Sequence, residues 1–156
     1  DGYMQNYAAL AKTLYPESDL NTPGAGAAGG LGFALSVFLH AELTPGIEIV
    51  MEETQLEEKI KTADLVVTGE GRLDAQTAMG KAPVGVAKLT KKHHKPVIAF
   101  AGGIEKGAEA CNKAGITAFF PAVRGVTTLE EAMRPEVAAE NLAESAEQVF
   151  RLLTLK

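Results

Sequence analysis

Between Leu65 and Pro121 the chain alternates short apolar runs of β-forming residues with helical patterns, and this alternation restricts the fold more than any other feature. Leu65–Thr68, Val97–Ala101 and Thr117–Pro121 read as strands, with Val84–His93 and Glu105–Ala114 as the helices between them. Lys95-Pro96 separates one helix from its strand, and Gly115 stands where a helix C-terminus favours a left-handed residue. A βαβαβ run needs crossover connections, which are right-handed, so the expectation is an α/β fold with a parallel sheet covered by helices. The three strands then end on one edge, each with glycine nearby: Gly69 and Gly71, Gly102-Gly103, and Arg124-Gly125.

The flanking segments are predicted to be mostly helical. Tyr3, Tyr7, Leu10, Ala11 and Leu14 form an amphipathic stripe that Pro16 stops. A glycine run from Gly24 leads into Phe33–Leu39, apolar around most of its girth and expected in the interior. Thr44-Pro45-Gly46 marks a turn, Ile47–Met51 alternates as a short strand, and Thr54 is placed to cap a charged helix through Thr62. Thr128–Met133 precedes a long helix with Leu142, Ala146, Val149, Phe150 and Leu153 as its buried stripe.

Bulk properties exclude several classes. The longest apolar stretch, Gly29–Leu39, is shorter than the roughly 20 residues that span a bilayer, so no membrane partner is expected. A net charge of −5 argues against nucleic acid, and the one basic cluster, Lys88–Lys95 with His93-His94, reads as the solvated end of a helix. The single Cys111 reads as a small core residue in a reducing compartment, and without an export pattern the expected location is the cytoplasm. The chain opens on Asp1-Gly2 and enters a helical pattern at once, which predicts the tail of a longer protein.

The chemistry concentrates after the first strand. Asp64–Ala87 places Gly69, Glu70, Gly71, Arg72, Asp74, Gln76, Thr77 and Lys81 in an expected loop at a strand's carboxyl end, where α/β proteins bind ligands. Arg72 offers a planar fork to a carboxylate or phosphate, Glu70 or Asp74 can hold magnesium or accept a hydroxyl proton, and Lys81 can meet a phosphate as a point charge. The duller reading is an internal salt bridge that shapes the loop. Gly24, Gly26 and Gly29 match the letters of the dinucleotide fingerprint G-x-G-x-x-G, and Gly30 follows them, but Glu17–Pro23 before them forms no strand. They read either as anion-binding amides at a helix start or as a turn for close helix packing. Gly80-Lys81 is similar to the end of a phosphate-binding loop, except that Ala75 and Ala82 replace its first glycine and its hydroxyl.

Pro23–Leu35 (PGAGAAGGLGFAL) together with Val67–Ala87 (VTGEGRLDAQTAMGKAPVGVA) closely resembles the bacterial glycerate kinase type I family. The likeness extends through AFAGG at Ala99–Gly103 and the LEEAM segment. It implies ATP- and Mg2+-dependent phosphorylation of D-glycerate, usually to 2-phosphoglycerate. It also implies two α/β domains, one inserted into the other, with residues 1–62 ending the inserted domain and residues 63–156 forming the returning half. On this resemblance the chain is the C-terminal portion, with the missing N-terminal part of the same protein and a homodimer as partners. Glu70, Arg72, Asp74 and Lys81 would be catalytic, with Asp74 or Glu70 at the metal. Gly69, Gly71, Gln76, Thr77 and the Gly24–Gly30 glycines would hold substrate. The alternative is a non-catalytic module that binds a nucleotide or anion, and either way the chain alone is expected to be inactive.

Overall fold

A computed structural model describes residues 2–155. It divides into two compact units, Asp1–Ile49 and Val50–Lys156.

In the first unit, α1 (Gly2–Leu14) and α2 (Ala27–Leu39) pack around Ala11, Ala25, Phe33 and Val37. Tyr7 meets Phe33 edge-on with ring centres 5.7 Å apart, and Tyr15 meets Phe38 likewise at 5.2 Å. The inward line of α1 is Met4, Tyr7, Ala8 and Ala11, so the stripe is rotated from the one the aromatic spacing suggested, and Tyr3, Leu10 and Leu14 are exposed. The interior placement of α2 also needs correction. Phe33 and Val37 are buried, but Leu31, Leu35, Phe38 and Leu39 keep exposed surface.

The predicted strand at Ile47–Met51 is instead helix α3 (Gly46–Glu53). Five alternating residues carry little periodic information, and Pro45 directly before the helix offers its carbonyl to the Glu48 amide at 2.9 Å. Thr54 does not cap the following helix. Its hydroxyl donates back to the Val50 carbonyl at 2.7 Å, closing α3, while Gln55 in a left-handed conformation precedes α4 (Leu56–Thr62).

The second unit carries the predicted α/β core. Strands β1 (Val66–Leu73), β2 (Val97–Ile104) and β3 (Ala118–Pro121) form a parallel sheet in the order β1-β2-β3, with Val66 opposite Val97 and Ile98 opposite Ala118. On one face, Val97, Ala99 and Ala101 pack with Val84 and Ala87 of α5 (Ala82–Lys92) and Cys111 of α6 (Ala110–Lys113). The small alanines let the helices approach closely, and Cys111 is the buried core residue expected.

On the other face, Ile98 and Phe100 meet Val149 of the C-terminal helix, which follows the short helix α7 (Leu129–Ala132), capped by the Thr128 hydroxyl. This last helix, α8 (Pro135–Leu153), lies against β2 and is tied to the end of β3 by Ser145 to the Ala122 carbonyl and by the Glu144–Arg124 ion pair. Its stripe is only partly buried, since Val149 is enclosed while Leu142, Phe150 and Leu153 remain exposed.

The expected helix Glu105–Ala114 is shortened to α6. Gly107 at φ 94° breaks the start, where a Cβ would come within 2.9 Å of the Ala75 Cβ.

Candidate functional site

The first strand runs further than its sequence suggested. Gly69, Glu70, Gly71 and Arg72, expected in a loop, belong to β1, and Gly102-Gly103 likewise belong to β2. Gly69 and Gly102 serve close approach rather than a turn: a Cβ at Gly69 would stand 3.0 Å from the Phe100 carbonyl oxygen, and one at Gly102 would stand 2.7 Å from the Gly71 carbonyl oxygen, while Gly71 and Gly103 have open space around them. The chain leaves the sheet only after the buried Leu73.

Asp74 to Thr77 then makes a tight reciprocal turn. The Thr77 amide donates to Asp74 Oδ1 at 2.9 Å, its hydroxyl donates to the same oxygen at 3.1 Å, and the Asp74 amide donates to that hydroxyl at 3.3 Å. Thr77 is fully buried, so it reaches any ligand only through Asp74, whereas Gln76 is exposed. A single 3-10 turn (Thr77–Met79) and left-handed Gly80 lead to Lys81, which sits extended immediately before α5 as the sequence indicated.

Four charged groups follow from this geometry. Arg72 Nη1 lies 3.2 Å from Glu105 Oε1, Arg72 Nε lies 3.8 Å from Asp74 Oδ2, and Lys81 Nζ lies 3.9 Å from Asp74 Oδ1. The long distances and the 63% exposure of Arg72 make these weak ion pairs, which leave the guanidinium and ammonium free to turn to an anion. Asp74 is only 13% exposed, and its pKa is lowered first by the Thr77 amide, then by the Thr77 hydroxyl, the Lys81 charge and the Gln76 amide, against the opposing effect of burial. It is held as an anion.

Glu70 is half-buried, and its Oε2 is shielded from solvent with no hydrogen-bond partner. Burial raises the Cys111 thiol pKa, and the charges of Asp74 and Glu70 raise it further. Both carboxylates therefore act on one neighbourhood at the end of β1. Among the described residues no group of three or more His, Cys, Asp or Glu side chains converges to hold a metal.

Two partners were missed by sequence reasoning. Glu105 reads as a helix start, yet its amide donates to the Leu73 carbonyl at 2.9 Å, which brings its side chain to Arg72. The available signal was parallel register, since Arg72 pairs with Gly103, two residues before Glu105. His93 is not simply solvated: its Nε2 lies 2.7 Å from Glu57 Oε1, and Lys92 Nζ reaches the same oxygen at 2.7 Å. The pair holds α4 against α5 and lowers the Glu57 pKa to about 2, through the Lys92 hydrogen bond first and the His93 bond second.

The glycine turn belongs to the first unit. Gly24 is left-handed, Gly26 precedes α2, and Ala28, Gly29 and Gly30 all have left-handed φ and ψ. Two glycines here are required, Gly30 by its φ of 95° and Gly32 by packing, because a Cβ at Gly32 would overlap the Gly24 carbonyl oxygen. Around Gly26 and Gly29 there is open space.

A parallel α/β sheet whose strand end gathers an anchored aspartate, two loosely paired cations and a shielded glutamate defines a protein equipped to bind anionic ligands. The sequence profile of the glycerate kinase family matches residues 1–154, and the chain belongs to that family. It is 45% identical over 148 residues to a glycerate kinase of Halalkalibacterium halodurans, covering 92% of this chain and 39% of that protein. It is 42% identical to the glycerate 2-kinase of Escherichia coli, covering 99% of this chain and 40% of that protein. A crystal structure assigned as glycerate kinase 2 from Salmonella typhimurium LT2 superposes with a TM-score of 0.71 at 41% identity, over 96% of this chain and 37% of that one. The chain thus spans about 40% of the length of the curated relatives it matches.

Proposed function

We propose that this chain is part of a cytoplasmic kinase that transfers the γ-phosphoryl group of ATP to D-glycerate, giving 2-phosphoglycerate. Family membership supports the reaction class, and the name of the Escherichia coli relative supports the position phosphorylated. In that protein residues 1–62 would end the inserted domain and residues 63–156 would form the returning α/β half. The observation that carries the reading is the Arg72–Asp74–Lys81 group at the end of β1, in which two cations are loosely held and one carboxylate is fixed.

Phosphoryl transfer asks for positioning and charge neutralisation more than covalent chemistry. Arg72 suits the glycerate carboxylate or the transferring phosphoryl group because its fork can leave Glu105 for a bidentate partner. Lys81 suits a nucleotide phosphate. The depressed pKa of Asp74 makes it a poor proton acceptor, so its role is charge: it orients Arg72 and Lys81 and offers oxygen to a cation. Glu70, with one shielded oxygen lacking a partner, fits either a hydroxyl proton of substrate or Mg2+. One or two carboxylates suffice for Mg2+ where phosphates complete the coordination. Asp74 or Glu70 would hold the ion, which would supply positive charge to neutralise the phosphates. In the second unit Gln76 is a further donor for substrate and Gly69 acts by keeping β1 close to β2; in the first unit the amides around Gly26 and Gly29 could donate to an anion.

The test is Arg72→Ala and Asp74→Asn in the whole protein, each expected to lower kcat/KM by roughly 100-fold or more. Unchanged values for both would remove this strand end from catalysis. Isothermal titration of the present chain with Mg2+-ATP and with D-glycerate is expected to show binding without turnover, since one part of a cleft cannot exclude water or align two substrates.

A further inference from the structure

The sheet face that carries α8 is left half-covered. A groove of about 460 Å3 runs between the last two turns of α8 and the sheet, floored by Leu65, Ile98 and Phe120 and walled by Val149, Phe150 and Leu153. Its lining is almost wholly apolar. Phe150 is 45% exposed, Leu152 63% and Leu153 53%, and on the same sheet face Val67 of β1 is 49% exposed.

The geometry explains the gap. An α-helix is about 10 Å across and strands lie about 4.8 Å apart, so one helix covers about two strands. Helix α8 lies on β2 and is pinned at the end of β3 by Ser145 and Glu144; Leu65 before β1 packs against its cluster, while Val67 within β1 is left uncovered on that side. The opposite face, by contrast, is filled by α5 and α6 around fully buried Val97 and Ala99.

We propose that this groove seats an amphipathic helix, laid beside α8 over β1 and β2, from the part of the protein that the relatives possess and this chain lacks. More than half of each matched relative lies outside the region shared with this chain, which supplies ample sequence for such an element. The size of the patch also favours it over a second copy. The exposed parts of Val67, Phe150, Leu152 and Leu153 amount to on the order of 400 Å2, about half of the ~800 Å2 per partner that stable interfaces bury. That area suits one helix face within a domain, and a helix satisfies its own backbone in an apolar groove as an irregular segment does not. The inference rests on the reading that this chain is one part of a longer kinase.

The experiment compares Leu153→Glu in the present chain and in the whole protein. In the chain alone, the substitution should leave Tm within about 2 °C and reduce binding of a hydrophobic dye; in the whole protein it should lower Tm by about 5 °C or more, because a carboxylate would be forced under the helix. The milder Leu153→Ala should show the same order with a smaller shift. Equal shifts in both contexts would overturn the proposal. A concentration-dependent dimer of the whole protein, by sedimentation, that Leu153→Glu dissociates would also overturn it, in favour of a second copy. Glycerate kinase assays on the same preparations separate the two readings: a context-dependent Tm shift in a protein without that activity sinks the substrate assignment and leaves the groove's occupant standing.

Discussion

Replacing Thr77 with valine tests whether the Asp74 turn is built by one hydroxyl. Thr77 is fully buried and its Oγ1 accepts from the Asp74 amide at 3.3 Å while lying 3.1 Å from Asp74 Oδ1 and 3.4 Å from the Arg72 carbonyl. The hydroxyl has one proton, and the shorter distance assigns it to Asp74. Valine keeps the shape but removes one donated and one accepted bond, each worth about 1 kcal/mol net, and strands the Asp74 N–H at a further cost of about 1–3 kcal/mol. The extra methyl buried in place of oxygen returns up to about 1 kcal/mol. The expected loss is about 2–4 kcal/mol, read as a lower urea midpoint with an unchanged m-value. Serine keeps the hydroxyl and should cost less than valine.

The same exchange moves Asp74. Its pKa should rise toward the ordinary carboxylate value but stay below it, because the Thr77 amide, the largest cause of the depression, is retained. A depressed carboxylate stabilises the fold above its unfolded pKa, and that stability fades as pH falls through the folded value. The difference between wild type and Thr77→Val should therefore be smaller in acid than at pH 7. In the whole protein, kcat/KM should fall with Thr77→Val and recover with Thr77→Ser. If valine is as stable as threonine at both pH values while serine is the weaker variant, Thr77 is a packing residue and the hydroxyl has no part in shaping the turn.

Three further outcomes follow from the same geometry. Gly102→Ala should destabilise the chain by about 1–3 kcal/mol in thermal denaturation, because the new methyl meets a backbone oxygen at 2.7 Å that cannot swing aside, while Gly71→Ala, with open space around it, should be near neutral. Glu57→Gln should flatten the acid limb of the pH–stability curve: the carboxylate's contribution is complete above about 4.5 and lost as pH falls toward about 2, so the variant and wild type should converge in strong acid. Cys111 should resist alkylation at pH 8 in the native chain and react fully in denaturant, because burial raises its pKa and shields its sulfur.

The α/β class and the parallel order were legible because three apolar runs, spaced by helix patterns, leave one economical arrangement. Boundaries were less so. Gly69, Gly71, Gly102 and Gly103 signal a turn when read one strand at a time, but all four lie in the sheet, and at Gly69 and Gly102 two backbones come too close for a side chain. Sequence alone carries no record of that closeness, since both uses of glycine leave the same letter. The same blindness hid Glu105 and Glu57, whose partners Arg72 and His93 lie 33 and 36 residues away. Short-range patterns also failed where they were too brief to decide, as at Ile47–Met51.

Moving the glycines from a loop into a strand changes what the candidate site is. A flexible loop would have to order itself around an anion and lose affinity to the entropy of doing so, whereas Arg72 projects from a strand hydrogen-bonded to β2. Asp74 is fixed by Thr77, Gly107 closes against Ala75 behind it, and Lys81 is set by the start of α5. Only the tips of Arg72 and Lys81 remain free to move, over weak pairs that an incoming anion can outcompete. A rigid backbone with adjustable cationic ends is the arrangement that charge stabilisation in phosphoryl transfer requires, because the donors are in place before the charge develops. The glycines thus contribute to the site by what they let the strands do, and a side chain at Gly102 should impair binding without touching any ligand.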